Sequence, residues 1–143
     1  MHIMFVCTGN ICRSPMGELL LTRYLSGTTV QVSSAGTHGL PMHQIDPNSA
    51  LLMESVGIEP SGFRSRRLTQ PMAESADLIL CFEKDQRKDI VTLAPTAVKY
   101  TFLLGDFANM RVLRTQWTGQ GLDHSGTLAV SDQLLVHYSA YAP

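Results

Sequence analysis

The chain has 143 residues, 44% apolar and 16% charged, a size and balance that fit one folded domain and exclude a disordered chain or a coiled coil. Eleven Lys and Arg against twelve Asp and Glu leave a net charge of −1, too weak a positive field to draw in nucleic acid or an anionic membrane surface. The longest apolar runs are strand-sized and His2-Ile3-Met4 lacks the basic start of a secretory signal, so a cytoplasmic protein with no membrane partner is expected. Three cysteines, two of them near the N-terminus, suit thiol chemistry in a reducing compartment better than a disulfide framework.

Ile3 to Cys7 is a continuous apolar run ending in Thr8-Gly9-Asn10, which reads as a strand buried on both faces and therefore part of a parallel sheet. Pro15, capped by Ser14, opens a helix with Met16, Leu19, Leu20 and Tyr24 along one side. Thr29 to Ser33 alternates as a second strand, broken by Ser34-Ala35-Gly36-Thr37. Pro47 starts a helix that carries Ala50, Leu51, Met53 and Glu54 and ends at Gly57. A short helix from Pro71 to Ala76 precedes a third buried strand, Leu78 to Phe82. A helix from Glu83 to Leu93 follows, with Ile90 and Leu93 inward and Glu83 and Asp85 complementing its dipole. Val98 to Leu104 is expected as a fourth strand, and Thr127 to Tyr138 as a weak terminal helix after a polar, glycine-rich stretch. Strands alternating with helices predict a single three-layer α/β domain over residues 1–143, with ligands bound beyond the carboxyl ends of the strands.

The chemistry-bearing stretch is Cys7-Thr8-Gly9-Asn10-Ile11-Cys12-Arg13-Ser14. Cys7 ends a buried strand, and the short loop after it turns backbone N–H groups inward beside a helix N-terminus, a nest for an oxyanion such as phosphate. The same donors favour an ionised thiol at Cys7. Arg13 offers a planar fork for two phosphate oxygens, and Ser14 a hydroxyl for the sulfur. Nucleophile and oxyanion cradle are thus one loop.

These residues resemble the phosphate-binding loop of the low molecular weight protein tyrosine phosphatases. The similarity continues through Ser34-Ala35-Gly36-Thr37, Gly57-Ile58, Arg67-Leu68-Thr69 and Ala76-Asp77-Leu78-Ile79-Leu80, over roughly the first 105 residues; residues 109–143 match poorly. The resemblance implies a central four-stranded parallel sheet, doubly wound in the flavodoxin manner. It implies hydrolysis of phosphotyrosine or another aryl phosphate through a phosphocysteine on Cys7, with Arg13 on the phosphoryl oxygens and no metal or other cofactor. Thr8, Gly9, Asn10, Ile11, Cys12 and Ser14 would line the phosphate or sulfate site, and His38 or Leu40 would flank the substrate ring. Cys12 corresponds to a second loop cysteine that can pair with the nucleophile. The family's Asp-Pro-aromatic acid loop is matched best by Asp123-His124-Ser125-Gly126, without its proline or aromatic residue. Asp123 is therefore the candidate general acid, ahead of Asp106 and Asp132, with Trp117 nearby as a cover for the cleft.

Arsenate reductases of the same fold are an alternative, but they need two relay cysteines where only Cys81 is available, and a strand-end cysteine suits the core. A second alternative is a phosphate-binding protein with weak turnover. Zinc bound by Cys7, Cys12, His38 and His43 is disfavoured, because Arg13 would bring a like charge to the metal.

Overall fold

A computed structural model describes residues 1–109. β1 (His2–Cys7) leads to α1 (Arg13–Tyr24), β2 (Gln31–Gly36), α2 (Pro47–Ser55), α3 (Gln70–Ser75), β3 (Leu78–Cys81) and α4 (Lys84–Leu93). A 3-10 helix (Pro95–Tyr100), β4 (Thr101–Leu103) and α5 (Leu104–Asn109) follow. The four strands are parallel in the order β2-β1-β3-β4, a flavodoxin-like α/β sandwich. β1 is central, pairing Phe5 with Ser34 on one side and with Leu80 on the other. The order reverses at β1, so the crevice for a ligand opens at its carboxyl end, at Cys7.

Alternate residues of the buried strands supply two opposite faces, as their twofold period requires. Ile3, Phe5, Leu78 and Leu80 pack with Leu21, Leu25, Leu104 and Phe107, which places α1 and α5 on one face. Met4, Val6, Ile79 and Cys81 pack with Ala73, Ile90 and Ala97, which places α3, α4 and the 3-10 helix on the other. A smaller cluster of Met16, Ile45, Met53 and Phe63 ties α2 to α1. Among the described residues no helix is long and apolar enough to cross a membrane.

Several expected elements shift. α1 begins at Arg13 with no side-chain cap, because the Ser14 hydroxyl is turned inward to Cys7 instead of capping the helix. The stripe Met16-Leu19-Leu20 faces α2, while the sheet-facing stripe runs through Gly17, Leu21 and Leu25, and Tyr24 is exposed. β2 runs through Ser34-Ala35-Gly36 rather than ending before it. These small residues are there for close approach: a Cβ on Gly36 would lie 2.5 Å from the Thr8 carbonyl oxygen. α2 follows its signals, with Pro47 at its start, Asp46 accepting from the Asn48 and Ser49 amides, and Gly57 at φ +79° just past its end. Leu51 is nevertheless exposed. Leu93, expected inward, is also exposed, leaving Ile90 as the buried anchor of α4. Val98 lies in the 3-10 helix rather than in β4. Pro95, its φ already fixed for a first helical position, starts the 3-10 helix that carries the chain through Val98 to Tyr100, and the strand is confined to Thr101–Leu103. The expected helix from Thr127 to Tyr138 lies outside the described residues.

Candidate active site

The carboxyl end of β1 delivers Cys7, buried, into a loop that α1 closes. Its sulfur receives the Asn10 backbone N–H at 3.3 Å and lies 2.9 Å from Ser14 Oγ. Asn10 organises the loop from inside. At φ +58° it occupies the left-handed region that Asn tolerates, and it is fully buried. Its Nδ2 donates to Ser14 Oγ and to Ser34 Oγ, each at 2.9 Å, while its Oδ1 accepts the Arg66 amide at 2.8 Å. Ser14 Oγ accepts from Asn10, and its hydroxyl proton is within reach of the Cys7 sulfur. Ser34 in turn donates to Glu18 Oε1 at 3.0 Å, and burial holds the Glu18 carboxyl above the usual carboxylate range. A continuous chain of polar contacts therefore runs from the thiol to a half-buried carboxyl group.

The extension of β2 fixes the first two loop residues, with Thr37 N–H on the Cys7 carbonyl and His38 N–H on that of Thr8, both at 2.9 Å. Gly36 packs directly beneath the loop, within 2.9 Å of the Asn10 nitrogen for any added Cβ, so a side chain there would displace it. Ile11 O accepts the Asp46 amide at 2.7 Å, and Cys12 Sγ accepts from Ser49 Oγ at 3.2 Å, so the far side of the loop leans on the start of α2.

Arg13 stands at the first position of α1. Its Nη1 donates to Glu83 Oε1 at 2.5 Å, and its guanidinium carbon lies 5.6 Å from the centre of the Phe82 ring. Gln86, on the same turn as Glu83, donates from Nε2 to Thr8 Oγ1 at 3.3 Å. Neither Glu83 nor Gln86 announces itself in the sequence as a site residue. The spacing Glu83-x-x-Gln86 is legible as a reciprocal helix cap, but nothing local tells that its side chains reach a loop some seventy residues earlier.

Cys7, Asn10 and Ser14 are in direct contact, and Thr8, Gly9, Ile11, Cys12 and Arg13 complete the same loop. His38 and Leu40 lie on the segment after β2. The His38 ring reaches toward α4, with Nε2 3.4 Å from Asp89 Oδ2. Leu40 is exposed, its carbonyl taken by the Ser65 hydroxyl. Asp106 lies in the first turn of the short α5. Asp123, Asp132 and Trp117 lie outside the described residues. Cys81 is fully buried, with its thiol directed at the Phe102 carbonyl, and burial pushes the thiol up to about 12. Among the described residues no three His, Cys, Asp or Glu side chains converge to hold a metal ion.

Residues 2–117 match the family description of the low molecular weight phosphotyrosine protein phosphatases. The chain is 41% identical over 109 residues to the low molecular weight protein-tyrosine-phosphatase Etp of Escherichia coli K12, covering 76% of this chain and 72% of that protein. The tyrosine phosphatase Wzb of Escherichia coli K30, solved with sulphate, superposes with a TM-score of 0.70 at 29% identity, covering 99% of this chain and 95% of that one. A YwlE arginine phosphatase, solved with a phosphorylated serine replacing its active-site cysteine, gives a TM-score of 0.72 at 28% identity, covering 94% and 88%.

Proposed function

The chain belongs to the low molecular weight phosphotyrosine protein phosphatase family, and on that premise we propose that it hydrolyses phosphotyrosine or related aryl phosphate monoesters through a phosphocysteine on Cys7. That it is a phosphatase of this type follows from the family; the substrate class, the intermediate and the residue roles are our reading. The observation that carries it is the Cys7 sulfur held between the Asn10 N–H and the Ser14 hydroxyl at the start of the helix that bears Arg13.

In the first step the Cys7 thiolate attacks phosphorus, and the P–O bond breaks with its electron pair on the aryl oxygen. Asp123 protonates that oxygen. In the second step water attacks the phosphocysteine and gives its proton to the same carboxylate, and sulfur departs with the P–S electron pair. Asn10 N–H and Ser14 Oγ–H stabilise the departing sulfur, while loop amides and Arg13 hold the phosphoryl oxygens. The sulphate in Wzb supports an oxyanion in this loop, and the phosphoserine in YwlE supports transfer to the residue at Cys7. No step calls on a metal. We place the protein in the cytoplasm, where its thiols stay reduced, acting on phosphorylated proteins or small aryl phosphates.

The arsenate reductase alternative loses support at Cys81, whose buried, strongly disfavoured thiolate suits the core rather than a relay. The test is burst kinetics with nitrophenyl phosphate: one equivalent of phenolate per Cys7, lost in Cys7→Ser and unaffected by EDTA. Full turnover by Cys7→Ser would sink the reading, and phosphate binding without a burst would make the protein a binder. Preferential hydrolysis of phosphoarginine peptides would overturn the aryl substrate class while leaving the Cys7 chemistry intact.

A further inference from the structure

The start of α4 is capped in an unusual way. Ser, Thr, Asp and Asn are the side chains that serve best as helix N-caps, yet Glu83 occupies this position and accepts the Gln86 amide while Gln86 Oε1 accepts the Glu83 amide at 3.0 Å. Gln86 Oε1 also takes the Phe82 amide at 2.9 Å, and the side chain is almost completely buried, a costly place for an amide used only as a cap. Both residues have a second engagement. Glu83 reaches Arg13 Nη1, and Gln86 Nε2 reaches Thr8 Oγ1. Thr8 and Arg13 are the second and seventh residues of the eight that run from Cys7 to Ser14, so one helix cap brackets the loop at both ends.

Stability does not explain this wiring. The Arg13–Glu83 pair has side chains 21% and 54% exposed, and such pairs add little to folding. What the pair does fix is orientation: a carboxylate on Nη1 and the Phe82 ring beneath the guanidinium together limit where the fork can point. A longer side chain than the preferred caps is needed for this, since the same carboxylate must cap α4 and span to α1.

We propose that the α4 cap is a positioning device for the phosphate-binding loop, Glu83 aiming the Arg13 guanidinium at the phosphoryl oxygens and Gln86 holding Thr8. The proposal rests on the assignment of residues 7–14 as that loop. Preorganised donors bind a developing oxyanion without reorganising during the reaction, so the contribution appears in turnover and oxyanion affinity rather than in folding.

The test is Glu83→Ser, which keeps a good cap but is too short for Arg13, compared with Glu83→Gln, whose carbonyl still reaches both partners. Turnover of nitrophenyl phosphate, calorimetric binding of inorganic phosphate and the melting midpoint are read for each. The expected result is an unchanged midpoint in Glu83→Ser, with kcat/KM down and phosphate binding weaker by roughly tenfold, and recovery of most of both in Glu83→Gln. Should serine lower the midpoint, Glu83→Asp, a favourable cap one methylene too short, is read in the same way. Unchanged turnover and phosphate binding in the short variants, or losses that only track the midpoint, would overturn the proposal. Failure of the underlying assignment has a different signature, activity that survives Cys7→Ser.

Discussion

Gly17 lies so close under the Phe5 ring that a methyl group on its α-carbon would sit 2.8 Å from Phe5 Cδ1. Phe5 is fully buried at the middle of the sheet and cannot yield. In an ordinary helix Gly→Ala gains about 1 kcal/mol, whereas overpacking a core costs about 1–3 kcal/mol. Gly17→Ala should therefore lower the denaturation midpoint. Gly105→Ala in α5, where nothing lies within 4 Å, should raise it slightly. A stabilised Gly17→Ala would show that α1 lifts off the sheet easily.

Asn10 combines a left-handed backbone with three side-chain hydrogen bonds. Asn10→Ala removes three hydrogen bonds at about 0.5–1.5 kcal/mol each and adds about 1 kcal/mol of backbone strain. Asn10→Gly loses the same bonds but not the backbone fit. Urea denaturation should therefore rank the wild type above Asn10→Gly and Asn10→Gly above Asn10→Ala, with turnover reduced in both. Equal stability of the two variants would mean that the loop relaxes out of its positive φ.

The sign of the Glu18 effect follows from its raised folded-state value, caused first by burial and only partly offset by Ser34 and Arg66. A carboxyl that binds its proton more tightly when folded supports the fold at low pH and loses that support as pH rises through the folded value. Once pH has risen past the folded value the charged Glu18 is a cost, and Glu18→Gln, which keeps an oxygen for Ser34, should there unfold at higher urea than the wild type. Below about pH 4, where the carboxyl is protonated in both states, the advantage should vanish. An advantage that stays constant across this range would place its cause in packing rather than charge.

What could be read from the sequence was local. The run from Ile3 to Cys7, the loop and Pro15 announce strand, nest and helix, and Pro47 with Gly57 brackets α2. Ser34, Ala35 and Gly36 were misleading because small residues selected for close approach look like turn formers. The Met16-Leu19-Leu20 stripe was a true amphipathic signal that pointed to α2, while the sheet-facing side was hidden behind a glycine. Glu83 and Gln86 could not be connected to Arg13 and Thr8, because parallel pairing of β1 with β3 brings them together across most of the domain.

For Asp123 the prediction turns on leaving groups. General acid help is worth roughly 10²–10⁴-fold, and phenolates of high basicity need it most. Asp123→Asn should slow phosphotyrosine far more than nitrophenyl phosphate. Because the proline and aromatic residue of the family's acid loop are missing beside Asp123, even the unmodified protein should lag on phosphotyrosine. Equal slowing of both substrates would assign Asp123 a structural role.

The contacts from the loop to α4 span 70 and 78 residues of chain. Synthesis proceeds from the N-terminus, so a growing chain presents its thiol and guanidinium well before the helix that brackets them exists. Contacts of such separation form late because loop closure must come first. On the proposed role of the α4 cap, turnover is expected only after these two contacts have closed, later than the loop itself can form.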